Sequence, residues 1–220
     1  MTIEIFAHPF SSYCMKAIMA FYEKDVPWTL HMLSPEHPEN NEEHGRRWPV
    51  RRFPLMVAGD EQVMEATAII EWLEAHRPGG TRLIPADAKA AVRVRMMDRI
   101  FDNYVMTPQG RCVFDALRPE DARDPYGVAE AQKLLDTSYE WLDGEMAGRK
   151  WAAGDEFSMA DCAAAPALLY ADWTYEIPAR FETLRAYRQR LIERPSFARA
   201  LDEARPFRHL FPLGAPTDRD

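Results

Sequence analysis

The strongest constraint on the fold is a change of hydrophobic period near residue 77. Up to that point the chain alternates element types. Residues 3–7 and 28–32 read as strands flanking a helical stretch at 12–24. Residues 55–58 and 62–64 read as short strands around the turn Gly59-Asp60-Glu61. Residues 66–76 read as a helix, with Ile69, Ile70, Trp72 and Leu73 at helical spacing. The order is βαβ, then ββα, with the polar, proline-containing stretch 34–49 between the halves read as a loop. Pro78-Gly79-Gly80 stops the last helix, and 81–87, with Pro85, reads as a linker. Beyond residue 88 the chain carries helical patterns at 88–117, 127–147, 159–175, 181–193 and 196–203, with no competing strand pattern. The fold class is therefore α/β plus all-α. Two domains are expected, 1–80 and 88–212 with the boundary near 83, and 220 residues suffice for two modest cores. The polar residues 214–220 read as a loose end.

Charge and cysteine usage narrow the function classes. A net charge of −8 argues against nucleic acid, because phosphate binding needs a dominant positive field over a large face. No stretch approaches the roughly 18 apolar residues that span a bilayer, and the first residues lack a basic segment followed by a long apolar run. The expectation is a cytoplasmic protein with no membrane partner. Cys14, Cys112 and Cys162 have no CxxC or metal-ligand spacing, so reduced thiols are expected, with no disulfide framework and no metal site.

Four motifs carry chemistry. The segment from His8 to Lys16 contains Ser11-Ser12 where the first strand gives way to the first helix. A helix start offers unpaired N–H groups and the positive end of the macrodipole, which stabilise a thiolate or another anion. A serine hydroxyl there can donate to a bound thiolate, although either serine also reads as a plain N-cap. Lowering a thiol from about pKa 9 to about 6.5 takes about 3.4 kcal/mol. A charge-assisted hydrogen bond of about 1.5–3 kcal/mol plus a helix-end term of about 0.3–2 kcal/mol reaches that value. Second, Phe53-Pro54 sits directly before a strand, where a proline is tolerated and otherwise reads as a turn. Third, Glu65 precedes the start of a helix at Ala66, whose N–H can bind a carboxylate. Fourth, Arg46, Arg47, Arg51 and Arg52 gather four guanidinium groups in an acidic chain. They suit carboxylates, and read otherwise as a solvated basic loop. A further device is structural: Ser158 and Asp161 have capping-box spacing, with Phe157 and Cys162 spaced as a hydrophobic staple.

In order and spacing these motifs resemble the glutathione transferases of the serine type, zeta-, theta- or beta-like. The resemblance covers nearly the whole chain. It implies a thioredoxin-like βαβ-ββα domain that holds glutathione, and a C-terminal helical domain that shapes the pocket of a small hydrophobic electrophile. Ser11 takes the thiolate-stabilising role, with Ser12 the near alternative. Pro54 resembles the cis-proline of thioredoxin-like folds, with Phe53 pairing main chain to main chain with the cysteinyl part of glutathione. Arg51 or Arg52 meets the glycyl carboxylate, and Glu65 the γ-glutamyl ammonium. The family has serine where this chain has Ala66. The missing hydroxyl removes a contact of about 1.5–3 kcal/mol unless Thr67 substitutes. Cys14 stands where the second cysteine of a glutaredoxin-like pair would be, and reads as a packed core thiol. Tyr104, Met106, Phe114 and Trp173 are candidates for the helical wall, with Tyr104 and Phe114 as the expected substrate contacts. The resemblance further implies glutathione conjugation of the detoxification kind, or a zeta-like isomerisation, in a homodimer. The rival is a non-catalytic interaction module of the same fold, as in stringent-starvation-type relatives.

Overall fold

The computed structural model describes residues 2–219. The N-terminal half runs β1 (Ile3–Ala7), α1 (Ser12–Glu23), β2 (Thr29–Met32), α2 (Pro38–Arg47), β3 (Leu55–Ala58), β4 (Glu61–Met64) and α3 (Ala66–His76). The sheet order is β2-β1-β3-β4, with β2 parallel to β1 and the other pairs antiparallel. Alternation along β1 sends Ile3, Ile5 and Ala7 into the large core with α1 and α3. Phe6 turns to the opposite face, where it packs with Leu33, Leu55 and Val57. Both faces are covered, which is why β3 is buried at every position. This is a thioredoxin-like domain with a four-stranded mixed sheet, followed by a helical domain.

Residues 34–49 are not a loop throughout. Helix α2 opens with Pro38 in its first turn and is held by the Glu43–Arg47 pair at 2.7 Å and by a Glu43–Arg46 contact. Only His44 is buried, so the helix has no apolar stripe to betray it. His44 lies against Phe6 and donates from Nε2 to the Arg52 carbonyl at 3.0 Å, which fixes the chain just before β3.

The second half comprises α4 (Ala88–Ile100), α5 (Thr107–Ala116), α6 (Pro125–Glu145), α7 (Met159–Thr174), α8 (Glu182–Ile192) and α9 (Pro195–Ala204). Helices α4 and α5 are joined by a π-helical turn over Phe101–Met106, where the sequence reads as one continuous helix. Helix α7 is the hub. It is buried from Met159 to Trp173 and packs on α1, α4 and the π turn. Its start is the expected capping box: the Ser158 N–H donates to Asp161 Oδ2 at 2.9 Å, and the Asp161 N3 backbone faces the Ser158 side chain. Among the described residues no helix is long and apolar enough to cross a membrane.

One charged cluster ties the two halves together behind the sheet. Glu23, at the end of α1, accepts from Arg194 at 2.8 and 2.6 Å, from Ser196 at 2.5 Å and from Thr81 at 2.8 Å. Burial alone would raise this carboxyl. The hydrogen bonds from Arg194, Ser196 and Thr81 outweigh it and hold the group below its ordinary value. A carboxyl that is more acidic folded than unfolded contributes stability present above its unfolded pKa and lost as pH falls through the folded one. The midpoint of denaturant unfolding is therefore expected to fall as pH drops below about 4.3, the ordinary glutamate value. Glu23→Gln is expected to lower stability at neutral pH and to flatten that acid limb. An unchanged acid limb in the variant would show that other carboxylates carry it.

Candidate functional site

A cavity of about 780 Å³ lies between the two domains. Its sheet-side wall consists of the ends of strands and helices. Ser11, Ser12 and Tyr13 come from the β1–α1 junction, Arg52, Phe53 and Pro54 from the entry to β3, and Glu65 and Ala66 from the β4–α3 junction. The facing wall comes from α5 and the residues either side of it, including Met106, Thr107, Arg111, Phe114 and Leu117. Tyr170 of α7 stands behind, and Leu210, Phe211 and Pro212 close one side.

Ser11 is the N-cap of α1. Its backbone is extended at φ −83, ψ 128, and its Oγ accepts weakly from the Cys14 N–H at 3.5 Å. The hydroxyl can rotate to donate into the cavity, beside first-turn N–H groups that have no partner within the helix. Ser12 is the first helical residue and lines the same space. Cys14 is fully buried; burial pushes its thiol up to about 12, against hydrogen bonds with Ser11 and the His8 backbone that pull it down. It is a core thiol, as the sequence suggests.

The Phe53–Pro54 peptide is cis, and both residues face the cavity together with Arg52. Arg51, the alternative to Arg52, is directed elsewhere. At φ 56 its guanidinium lies over Gly45 of α2 and reaches the Asn41 carbonyl at 3.4 Å. Arg46 and Arg47 are engaged with Glu43. The four-arginine cluster thus delivers one residue, Arg52, to the cavity.

Glu65 is exposed and makes no capping hydrogen bond of its own. Its backbone sits at φ 71, ψ 124, a region that L-residues rarely adopt. Ala66 follows, buried at the first position of α3. Thr67 does not replace the missing hydroxyl. Its Oγ1 accepts from Lys16 Nζ at 2.8 Å and donates to Asp98 at 3.0 Å, so it faces away from the cavity. Lys16 is itself buried and paired with Asp98 and Asp102, each at 2.7 Å. This cluster fixes the start of α3 against α4.

Of the helical-wall candidates, Met106 and Phe114 line the cavity, and Tyr104 and Trp173 do not. Tyr104 sits in the π turn, half exposed, with its carbonyl accepting from Ser138 at 2.9 Å. The π turn is wider than an α turn and so sets a different phase for the residues within it. Trp173 lies one layer back, edge-on to Phe211 with centroids 5.4 Å apart. Two further contributors, Tyr13 and the C-terminal segment, have no role assigned in the motifs. Tyr13 lines the cavity and meets Thr107 across the domain junction. Burial first, and then the Asp102 charge, push its phenol up to about 12, so it stays neutral. The C-terminal segment is the other: Phe211 stacks on Tyr170, whose hydroxyl donates to the Phe10 carbonyl at 2.7 Å. The residues after it, read from the sequence as a loose end, make contacts of their own. Ala215 packs on the core, and Arg219 pairs with Glu176 at 2.9 Å. Asp220 lies outside the described residues.

A cavity with a helix start, hydroxyls, an arginine and an acid on one side, and a largely apolar helix face carrying Arg111 and Arg118 on the other, suits a zwitterionic peptide-like molecule beside a mostly apolar one. Comparison with known proteins identifies the family. The family model for the glutathione S-transferase N-terminal domain matches residues 5–81, and that for the C-terminal domain matches 105–195. The chain is 28% identical over 171 residues to the glutathione S-transferase-like protein LUC7 of a Fusarium species, covering 74% of each chain. It is 25% identical over 191 residues to glutathione S-transferase GstB of Escherichia coli, covering 82% of this chain and 88% of that protein. Among solved structures, a glutathione S-transferase of Methylobacillus flagellatus with glutathione bound superposes with a TM-score of 0.80 at 22% identity, over 90% of this chain and 98% of that one. With both family models matched in order across the two domains, the chain belongs to the glutathione S-transferase superfamily.

Proposed function

We propose that this protein is a glutathione transferase, with glutathione held by residues 1–80 and a small apolar electrophile held against residues 88–212. The observation that carries this reading is the convergence of Ser11, Ser12, Arg52, Phe53, Pro54, Glu65 and Ala66 on one cavity whose opposite wall is largely apolar. Ser11 donates to the glutathione thiolate, and the start of α1 adds its dipole. Phe53 pairs with the cysteinyl main chain, Arg52 meets the glycyl carboxylate, Glu65 the ammonium, and the Ala66 N–H the α-carboxylate. The thiolate sulfur then forms a bond to the electrophilic carbon. Either a halide leaves with the displaced electron pair, or the pair of a polarised double bond moves toward its withdrawing group and the carbon adjacent to the one attacked gains a proton from solvent. The thiol proton goes to solvent when the thiolate forms, and Ser11 is not consumed.

A non-catalytic binding module is the second reading. It is favoured by Ala66, which lacks a hydroxyl, and by Thr67, whose hydroxyl is already engaged. We also infer a homodimer, supported by exposed Val92 and Met96 on α4 and Val50 before β3. Titration with glutathione, followed by heat and by the ultraviolet band of the thiolate, separates the readings. Wild type is expected to bind in the micromolar to low-millimolar range. Ser11→Ala is expected to bind within about threefold of wild type but to lose the thiolate band and about ten- to hundredfold of conjugation rate. No heat at several millimolar glutathione would overturn the enzyme reading in favour of the module.

A further inference from the structure

The geometry points to an anionic second substrate: an electrophile with an apolar body and one carboxylate, the carboxylate being held by Arg111. This rests on the glutathione reading and names the class of molecule for the other half of the same cavity.

Arg111 lies in the middle of α5, on the face that also presents Thr107 and Phe114 at helical spacing, and all three line the cavity. Met106, Val113, Phe114 and Leu117 make the surface around it largely apolar; of the polar side chains beside it, Gln109 is engaged with Thr174. The wall holds a second cation, Arg118, which is already paired with Asp115 at 3.2 Å. Asp115 Oδ1 also accepts the Asp124 N–H at 2.8 Å and does not line the cavity. Arg111 has no hydrogen-bond or ion-pair partner among the described residues. Glu65, the one acid lining the cavity among the described residues, is on the opposite wall, where the γ-glutamyl ammonium occupies it under the proposed reading. The α5 wall therefore offers one uncommitted guanidinium in a largely apolar surface, and among the described residues no acid of that wall lines the cavity. That suits a carboxylate on a hydrophobic frame, which a guanidinium grips through two parallel hydrogen bonds. A cation or a purely neutral frame would leave the guanidinium unused.

Unreactive conjugates test this without requiring turnover. Glutathione, S-benzylglutathione and S-(4-carboxybenzyl)glutathione are titrated calorimetrically into wild type, Arg111→Gln and Arg111→Lys at neutral pH. Wild type is expected to prefer the carboxylated conjugate over the benzyl conjugate by about tenfold or more. Arg111→Gln is expected to remove that preference, and Arg111→Lys to restore part of it. Arg111 is exposed, so neither variant threatens the fold. Equal binding of the two conjugates by wild type, or a preference that survives Arg111→Gln, overturns this inference while glutathione binding leaves the transferase reading standing. If glutathione and both conjugates fail to bind wild type, the transferase reading falls and this inference with it.

Discussion

Replacing Glu65 by alanine is expected to raise the glutathione dissociation constant by about ten- to hundredfold or more, the equivalent of one lost charge-assisted hydrogen bond of about 1.5–3 kcal/mol. Several features make the effect large. The carboxylate is exposed, lines the cavity and caps nothing, so it has no competing partner in the helix it precedes. Ala66 provides no hydroxyl, and the Thr67 hydroxyl is committed to Lys16 and Asp98, so neither neighbour takes over. The backbone adds a second, independent signature. A residue held at φ 71, ψ 124 costs about 1–3 kcal/mol, which glycine largely avoids at an entropic cost of about 0.5–1 kcal/mol. Glu65→Gly is thus expected to melt a few degrees higher than wild type while binding glutathione as poorly as Glu65→Ala, which keeps the strain. Binding that is unaltered in both variants would remove Glu65 from the ammonium site. A glycine variant that melts no higher than the alanine variant would show that the local conformation stores no strain.

Asp161→Ala is expected to destabilise the protein by about 3–5 kcal/mol, visible as a thermal midpoint lowered by roughly 10 °C. The carboxylate is fully buried and accepts four hydrogen bonds: from the Ala152 N–H at 2.8 Å, the Ser158 N–H at 2.9 Å, the Ser158 hydroxyl at 3.0 Å and the Tyr187 hydroxyl at 2.6 Å. Alanine leaves all four donors buried without an acceptor, so the cost far exceeds that of a lost surface cap, which is about 1 kcal/mol. Because these donors come from the loop before α7, from its N-cap and from α8, the loss should appear as a lowered global transition rather than local fraying. A change below about 1 kcal/mol would mean that the four groups find water instead. Asp161→Asn is a useful comparison, since it keeps one acceptor oxygen and should recover part of the loss.

What the sequence discloses, and what it withholds, follows from the range of the interactions involved. The strand and helix starts that frame the cavity are written in local signals: a serine pair at a helix start, Phe-Pro before a strand, an acid before an apolar helix, and a capping box at Ser158 and Asp161. Each of these is readable within a few residues. Helix α2 was hidden because it buries only His44 and so has no apolar period. The commitment of Thr67 was hidden because its partners, Lys16 and Asp98, are 51 and 31 residues away. Tyr13 lies within the His8–Lys16 segment without a role of its own there, and Phe211 lies outside every motif; both become part of the site only when α1, α5 and the C-terminal segment meet. Of the arginine cluster, sequence spacing could not tell the cavity-lining Arg52 from Arg51, whose positive φ turns it onto α2.

The π-helical turn between α4 and α5 bears on how chains of this kind can diverge. A π turn accommodates one residue more than an α turn does while the helix on either side keeps its course. Phe101–Met106 is therefore the stretch where an insertion or deletion of a single codon can be absorbed without sliding the α5 wall past the glutathione side. A one-residue change within α5 itself would instead rotate Arg111 and Phe114 by about 100°, out of the cavity. Length variation among descendants should accordingly gather in the π turn, and changes of substrate should come from point substitutions on the face of α5.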